Sequence, residues 1–482
     1  MVRNKWRPTR GPPPVHNLPP LGRAVPARTR IRRTGDEDDD AGDSIPEVVI
    51  VGRAPFGGKI QPVEIAVDSA GRISRIARNI PGAERLDFGD LVILPAATDL
   101  HVHFREPGTG ETIETLAGGT LQAALGGVAL VGDMPNNEPP MDSVAHLLEK
   151  AARARGRLAV DMLLYASARP GASLSALASV AGAFKLYLSP TTSITEAPDP
   201  SEIRPLLEAV ARTGLPLTVH AEDPTAFREV PPATTLAEWS AARPIEAERQ
   251  GVEHLLPAPP SLRLHVAHVT DPTTAARLRA EGHSFEATPH HLLLSAGSGD
   301  DTHRKVNPPL RAEAVRAGLW DDFSAGRIPC VASDHAPHSS SAKELRFPLA
   351  PSGVPGVETM LPLLLEKARR GRIELATLLA AACDRPARWL GMPVGRLAVG
   401  HRADLLVVDF RERRELRGRE LHAAAGWTPF EGMTAVFPRH HLRAGVPIVE
   451  DGEYVGGHTG RIVRPEFAPT PSGPPGAAYS QE

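Results

Sequence analysis

Eight short apolar runs recur between residues 97 and 334, and they constrain the fold more than any other feature of this 482-residue chain. They lie near 97–103, 127–133, 158–165, 182–188, 215–221, 262–268, 283–287 and 328–334. The segments between them, such as 141–155 and 203–213, are long enough to form helices. Regular alternation of strand and helix predicts a parallel sheet, and eight such units predict an α/β fold of the TIM-like (β/α)8 barrel type.

The segments that flank this barrel predict a small second domain made of β-strands. Residues 48–77 and 397–454 alternate valine with Gly and Asp turns, and 63–73 has the pattern of a hairpin. We therefore predict a β-sandwich domain in two parts, 45–94 and 393–460, around a barrel at 95–392. Residues 1–44 are basic, proline-rich and then acidic, which predicts a disordered tail, and 461–482 are predicted to form a loose C-terminal tail.

Composition excludes several classes of partner. The formal net charge is −3, so no excess of positive charge indicates nucleic acid or an anionic membrane. Two cysteines cannot form a disulfide framework, and no apolar run reaches the ~18 residues of a membrane span. No apolar segment of a signal peptide follows the first residues, so secretion is not indicated and a cytoplasmic location is predicted.

Metal-ligating side chains follow the predicted strands, at the end of the barrel where active sites of this fold lie. His101 and His103 end the first strand and share one face of it, so both imidazoles can bind one Zn²⁺. The other strand ends add His220, His268 and Asp334, and the fourth strand carries Lys185. An ammonium group among metal ligands is costly. Lys185 would therefore either extend to solvent or, as a neutral amine, add CO₂ to give a carbamate that can bridge two metals.

Together these motifs resemble the dihydroorotases of the cyclic amidohydrolase superfamily, over about residues 94–432. The match comprises DLHVHFREPG at 99–108, MPNN at 134–137, FKLYL at 184–188, HAE at 220–222, TPHHL at 288–292, KVNPPL at 305–310, SDHAPH at 333–338, GVETMLP at 356–362 and WTPFEG at 427–432. The Lys185 region and the run at 356–362 look most like the dihydroorotase domain of the animal multifunctional pyrimidine-synthesis protein.

The resemblance implies a site with two zinc ions. His101 and His103 would bind one ion, His220 and His268 the other, and Lys185 would bridge them as N6-carboxylysine made from CO₂. Asp334 would bind the first zinc and also transfer protons as the catalytic residue.

The resemblance also implies the substrate contacts. The substrate carboxylate would be held by Arg105, Asn136 and His338, and the ring would lie near Asn307 and the backbone from Pro351 to Gly353. Thr191 and Thr192 would belong to a mobile loop. This chain has threonine at 192 where the animal type has phenylalanine, and Asn307 where it has arginine.

The activity implied is the reversible cyclisation of N-carbamoyl-L-aspartate to L-dihydroorotate, in de novo pyrimidine biosynthesis, by a homodimer that could associate with aspartate transcarbamoylase. Dihydropyrimidinase, hydantoinase or allantoinase activity is an alternative, because those enzymes could share the metal core. Arg105 favours dihydroorotate, since a guanidinium grips a carboxylate that hydantoin and allantoin lack. An inactive scaffold that partners the transcarbamoylase is a further alternative, although this chain keeps all six ligands.

Three other histidines are predicted to lie outside the metal site. His265 precedes His268 by three residues and is predicted to face the opposite side of its strand. His290 and His291, in the turn after the seventh strand, are predicted either to have a structural role or to support the metal ligands from outside, and not to bind metal.

Overall fold

The computed structural model describes residues 48–81, 84–108, 113–191, 197–228, 232–298 and 301–465. The strands are β1 (Val48–Phe56), β2 (Lys59–Val67), β3 (Ile73–Ala77), β4 (Arg85–Pro95), β5 (Ala97–Val102), β6 (Val128–Asp133), β7 (Asp161–Ser167), β8 (Ala183–Tyr187), β9 (Leu217–His220), β10 (Leu264–Val266), β11 (Ser284–Ala287), β12 (Cys330–Val331), β13 (Leu405–Val408), β14 (Arg414–Glu415), β15 (Thr434–Ala435), β16 (Pro438–Arg443), β17 (Val446–Glu450), β18 (Glu453–Tyr454) and β19 (Ile462–Val463).

Thirteen α-helices lie within the described ranges. They are α1 (Leu116–Leu125), α2 (Val144–Ala154), α3 (Leu174–Leu177), α4 (Pro200–Thr213), α5 (Leu236–Ala242), α6 (Ile245–Leu255), α7 (Pro272–Ala280), α8 (Pro289–Leu293), α9 (Glu313–Ser324), α10 (Ser340–Lys343), α11 (Met360–Arg369), α12 (Leu375–Leu379) and α13 (Arg385–Leu390). None of these helices is long and apolar enough to cross a membrane.

The predicted barrel is confirmed: β5 to β12 pair side by side in chain order, and every ladder between them is parallel. A parallel β-bridge between Val102 and His335 links β5, the first barrel strand, to the chain that follows β12, the last one. The backbone N–H of His103 donates to the His335 carbonyl at 2.8 Å. All residues of β5, β6 and β7 are buried, as expected for parallel strands that are covered on both faces.

Helix ends follow local sequence signals. Asp199 and Glu202 form a capping box at the start of α4, which begins with Pro200 and ends at the left-handed Gly214. A proline is compatible with the first turn of a helix, so α4 begins three residues before the predicted 203. In α2 the hydroxyl of Ser143 caps the first turn, and the helix therefore begins at 144, not 141.

Both flanking segments contribute to one eight-stranded sheet, with the order β18-β17-β16-β13-β4-β1-β2-β3. The predicted hairpin at 63–73 corresponds to β2 and β3, which pair antiparallel. The two segments meet where β13 pairs antiparallel with β4, from Leu405 opposite Pro95 to Val408 opposite Val92. The sheet therefore combines strands that precede the barrel in the sequence with strands that follow it.

The carboxylate of Asp161, at the start of β7, ties the barrel to the small domain and to the end of the described chain. It accepts hydrogen bonds from Arg402, from Arg443 at 2.5 Å and from the backbone N–H of Arg461 at 2.9 Å. The next two residues form β19, which pairs parallel with β7. The prediction of a loose tail from 461 is therefore wrong for β19, whose two residues are too few to show a strand pattern. The predicted tail at 1–44 and residues 466–482 lie outside the described residues.

Candidate metal centre and active site

Three predicted ligands meet at the carboxyl end of the barrel. Nε2 of His101 lies 3.2 Å from Nε2 of His103, and Oδ1 of Asp334 lies 3.3 Å and 3.2 Å from these two atoms. Ligands at about 2.0–2.1 Å from a tetrahedral Zn²⁺ are separated by about 3.3 Å. The three side chains therefore fit a metal ion, and we assign a metal site here.

Each imidazole of the first strand is oriented by a hydrogen bond on its far side. Nδ1 of His101 donates to Oε1 of Glu286 at 2.6 Å, and Nδ1 of His103 donates to Oδ1 of Asn136 at 2.5 Å. With the proton on Nδ1, each Nε2 presents its lone pair to the cluster. Burial, followed by the nearby Lys185 cation, lowers the pKa of His101 well below its ordinary value. This histidine is thus neutral, as metal binding requires.

Two further predicted ligands lie together. Nδ1 of His220 is 3.0 Å from Nε2 of His268, while Nε2 of His220 donates to Glu222 at 2.9 Å. Glu222 is itself bonded to Arg243 at 2.6 Å. The bond to Glu222 leaves the lone pair of His220 on Nδ1, whereas His101 and His103 present theirs on Nε2.

Lys185 does not extend to solvent. The residue is 0% exposed. Its Nζ has no hydrogen-bond partner among the residues that the structure describes, and it lies 5.2 Å from the centre of the Tyr187 ring. Burial lowers its pKa to about 8, so an appreciable fraction is the neutral amine near neutral pH. A buried amine without a partner, beside metal-binding histidines, fits the chemistry of a carbamate.

Three site residues have left-handed backbone conformations just beyond strand ends. The φ angles are 55° at Arg105, 39° at His268 and 47° at Asp334. Such angles are unfavourable for residues with a Cβ atom and persist where the surrounding structure enforces them. They break the alternation of the preceding strands, so that side chains beyond a strand can turn toward the cavity.

His265 illustrates this break, and the prediction for its orientation is wrong. β10 ends at Val266, so the strand alternation does not extend to His268. His265 is fully buried and donates from Nε2 to Oε2 of Glu286 at 2.9 Å. Glu286 thus joins His265 to Nδ1 of His101, on the side of that imidazole that faces away from His103 and Asp334. His290 and His291 are also buried, and His291 bonds to Thr288 and to the Pro308 carbonyl, which supports a structural role for His291. Nε2 of His290 has no hydrogen-bond partner among the described residues, so the role of His290 stays a prediction.

A cavity of about 350 Å³ opens beside the predicted metal ligands. Its lining includes five of the residues predicted to contact substrate, namely Arg105, Asn136, Asn307, Pro351 and Gly353, and also Thr191 of the predicted loop. Oδ1 of Asn307 accepts hydrogen bonds from the Trp239 indole at 3.1 Å and from Ser352 at 3.3 Å. His338 lies behind this wall, where its Nε2 donates to the Ser352 carbonyl at 2.9 Å. Thr192 lies outside the described residues.

Arg105 places a cation in the cavity wall. Its Nε is buried and has no hydrogen-bond partner in the described part of the chain. Burial lowers its pKa, an effect that Asp334 and Tyr187 oppose, but a guanidinium remains protonated under ordinary conditions. A planar cation in the cavity wall, with one buried N–H group that no described residue accepts, is suited to bind a carboxylate.

Several residues around the site escaped the sequence prediction. Glu286 and Tyr187 lie on the barrel strands β11 and β8, but their spacing from other residues does not follow a metal-ligand pattern. Trp239 and Lys305 line the cavity, and Lys343 donates to the Gly353 carbonyl in its wall. These three residues come from segments beyond the strands, and only Lys305 lies in a motif quoted above. Alternation along β8 could have indicated Tyr187, since it shares a face with Lys185.

Comparison with known proteins places the chain in a family. The model of the Amidohydrolase family matches residues 92–437. The chain belongs to the amidohydrolase family. This amidohydrolase is 38% identical to the dihydroorotase of Halobacterium salinarum over 402 residues, which are 82% of this chain and 94% of that protein. It is 32% identical to the dihydroorotase of Thermoplasma acidophilum over 404 residues, 83% of this chain and 94% of that protein.

Solved structures also resemble this amidohydrolase. The L-hydantoinase (dihydropyrimidinase) from Arthrobacter aurescens aligns with a TM-score of 0.80 at 25% identity. The alignment covers 87% of this chain and 100% of that one. The barrel and its attached sheet are thus shared with enzymes whose names denote cyclic amide substrates.

Proposed function

We propose that this amidohydrolase is a dihydroorotase, which interconverts N-carbamoyl-L-aspartate and L-dihydroorotate in pyrimidine biosynthesis. It is a hydrolase of cyclic amides. The observation that carries the choice of substrate is the Arg105 guanidinium in the wall of the cavity beside the metal ligands, whose buried Nε has no hydrogen-bond partner among the described residues. Dihydroorotate has both a cyclic amide and a carboxylate, and the identity to two archaeal dihydroorotases supports the same conclusion.

The donor set supports two zinc ions. His101, His103 and Asp334 would hold the first, His220 and His268 the second, and carboxylated Lys185 would join them. When bound, the ions supply a water activated near neutral pH and polarise the amide carbonyl. The 3.0 Å separation of the second pair and the absence of a hydrogen-bond partner for Lys185 within the described residues support this arrangement.

The protein's own groups then bind the substrate and move the proton. Arg105 would grip the carboxylate through its planar guanidinium and so set the position of the ring. Burial opposes ionisation of Asp334, but its close contact with the His103 imidazole and the charges around it outweigh this effect and lower its pKa. Asp334 is therefore ionised and able to take a proton from the attacking water and deliver it to the ring nitrogen that leaves. In the biosynthetic direction it takes the proton from the carbamoyl nitrogen.

Hydantoinase activity is the second candidate, because solved hydantoinase structures share the fold. Hydantoin and allantoin have no carboxylate for Arg105 to bind, so the buried Nε would gain no charged acceptor from them. A scaffold without activity would not require six aligned ligands. The hydantoinase and scaffold candidates therefore account for fewer of the observed contacts than dihydroorotase does.

Metal content and substrate preference test this proposal together. The purified protein should contain about two zinc ions per chain and turn over N-carbamoyl-aspartate and dihydroorotate far faster than hydantoin or allantoin. A preference for hydantoin would favour the second candidate, and zinc near zero without activity would favour the scaffold. The homodimer, the association with aspartate transcarbamoylase and the cytoplasmic location remain predictions, of which chromatography with and without the transcarbamoylase tests the first two.

A further inference from the structure

Two buried lysines hold one wall of the substrate cavity. Lys343 is 0% exposed and ends α10, and Lys305 is 3% exposed and lines the cavity. Within the described ranges neither ammonium forms an ion pair. Burying an ammonium without a counter-ion is costly, and here burial lowers the pKa of Lys343 to about 7 and that of Lys305 to about 8.

Both ammonium groups donate to backbone carbonyls of residues 347–353, which we call the 347–353 loop. Lys305 Nζ donates to the carbonyls of Phe347 and Ala350, both at 2.8 Å. Lys343 Nζ donates to those of Pro351 at 2.9 Å and Gly353 at 3.1 Å. An ammonium group has three donors and no acceptor, so it can hold several carbonyls at once.

Other backbone contacts complete the attachment. Lys343 Nζ also donates to the Lys305 carbonyl at 3.2 Å, and the Gly353 N–H donates to the same carbonyl at 2.9 Å. The Ser352 carbonyl accepts from His338. Apolar packing holds part of the loop, since Phe347 and Ala350 are buried, whereas Leu349 is 61% exposed. Hydrogen bonds to the two lysines hold the carbonyls of Ala350, Pro351 and Gly353.

The direction of these bonds determines what the loop presents to a ligand. The peptide between Pro351 and Ser352 is trans, because it is not among the cis bonds. In a trans peptide the carbonyl and the following N–H point in opposite directions. Since Lys343 draws the Pro351 carbonyl inward, the Ser352 amide is directed to the other side of the loop.

We propose that Lys343, assisted by Lys305, is a positioning residue that fixes the 347–353 loop in its substrate-binding conformation before substrate arrives. This inference rests on the proposed function, since it concerns the cavity that would receive dihydroorotate. Preorganisation lowers the ordering cost of binding, so it acts on substrate affinity more than on the chemical step.

The test is Lys343→Met, which keeps a long unbranched side chain and removes the donors. We expect the KM for N-carbamoyl-aspartate to rise at least about tenfold, with kcat changed less than about threefold and zinc content unchanged. Lys343→Gln, which keeps two N–H donors, should give a smaller rise. Lys367→Met, which replaces a half-buried lysine on α11, is the matched control and should leave KM and kcat unchanged.

Hydrogen exchange provides a readout that does not depend on turnover. In the substrate-free wild type, the amides of Leu349, Ala350 and Gly353 should exchange slowly, and in Lys343→Met they should exchange faster. Fast exchange in the wild type overturns the inference even if neither variant folds. A folded Lys343→Met with unchanged KM also overturns it. If the wild type does not turn over N-carbamoyl-aspartate at all, the proposed function fails, while the exchange data still decide whether Lys343 orders the loop.

Discussion

Replacing Arg105 by methionine removes the cation that we expect to select the substrate, while changing little else. Both residues carry a Cβ atom, so the left-handed backbone at φ 55° is equally unfavourable before and after the change. A guanidinium that grips a carboxylate makes two charge-assisted hydrogen bonds, each contributing about 1.5–3 kcal/mol. Because such pairs are not additive, we expect a loss of about 3–5 kcal/mol, which corresponds to a fall in kcat/KM of roughly a hundred- to several-thousand-fold.

The assay is kcat/KM for N-carbamoyl-aspartate and dihydroorotate, together with zinc content. Zinc should remain at the wild-type level, because Arg105 is not a ligand, and any trace turnover of hydantoin should not fall. Arg327→Met is the control, since Arg327 lies on the surface in a pair with Asp322. A kcat/KM within about threefold of the wild type, with zinc retained, would refute the assignment of Arg105 to the substrate carboxylate.

Three other substitutions test the site, the packing and the stability of the protein. Glu286→Gln weakens the bond that orients His101, so zinc affinity measured by competition with a chelator should fall about ten- to a hundredfold, and an unchanged affinity contradicts this role. A Cβ atom at Gly119 would lie 2.2 Å from the Phe104 ring, so Gly119→Ala should lower the free energy of unfolding by about 1–3 kcal/mol in denaturant titrations. Hydrogen bonds from two neighbouring arginines lower the pKa of Glu366 from 4.5 to about 2, so its stabilisation is complete above pH 4.5 and is lost as the pH falls toward 2. Because those arginines are partly exposed, Glu366→Gln should cost about 1–2 kcal/mol at pH 6 and progressively less at lower pH, and a cost that does not change with pH would contradict the assignment.

Local patterns predict the framework of this molecule because they act over a few residues. The apolar runs mark all eight barrel strands. Most of the predicted metal ligands were chosen because they lie at the end of such a run. His101 and His103 could be paired from sequence because both lie on or next to one strand, where alternation determines their direction. The same rule fails for His265, because the partner used to orient it, His268, lies beyond the strand in a left-handed conformation.

Contacts between distant segments could not be predicted from one sequence. Glu286 contacts His101 across the barrel interior. Lys343, the last residue of the four-residue helix α10, donates to the Pro351 carbonyl in the 347–353 loop. Each of these contacts depends on where the barrel places two elements, which no local periodicity encodes. A buried lysine has no pattern in sequence that separates it from a lysine at the surface. Such residues are found only when hydrogen bonds and exposure can be read from the fold.

The attached sheet has a consequence for how a newly made chain matures. Its first four strands emerge before the barrel, yet the neighbour of β4 on one side is β13, which is synthesised only after the whole barrel. Until then β4 offers an unpaired edge to which other chains can add. A polypeptide truncated shortly before Leu405 would possess every barrel strand and still be prone to aggregate. We therefore expect the pairing of β13 with β4 to cover an edge that the first part of the chain leaves open.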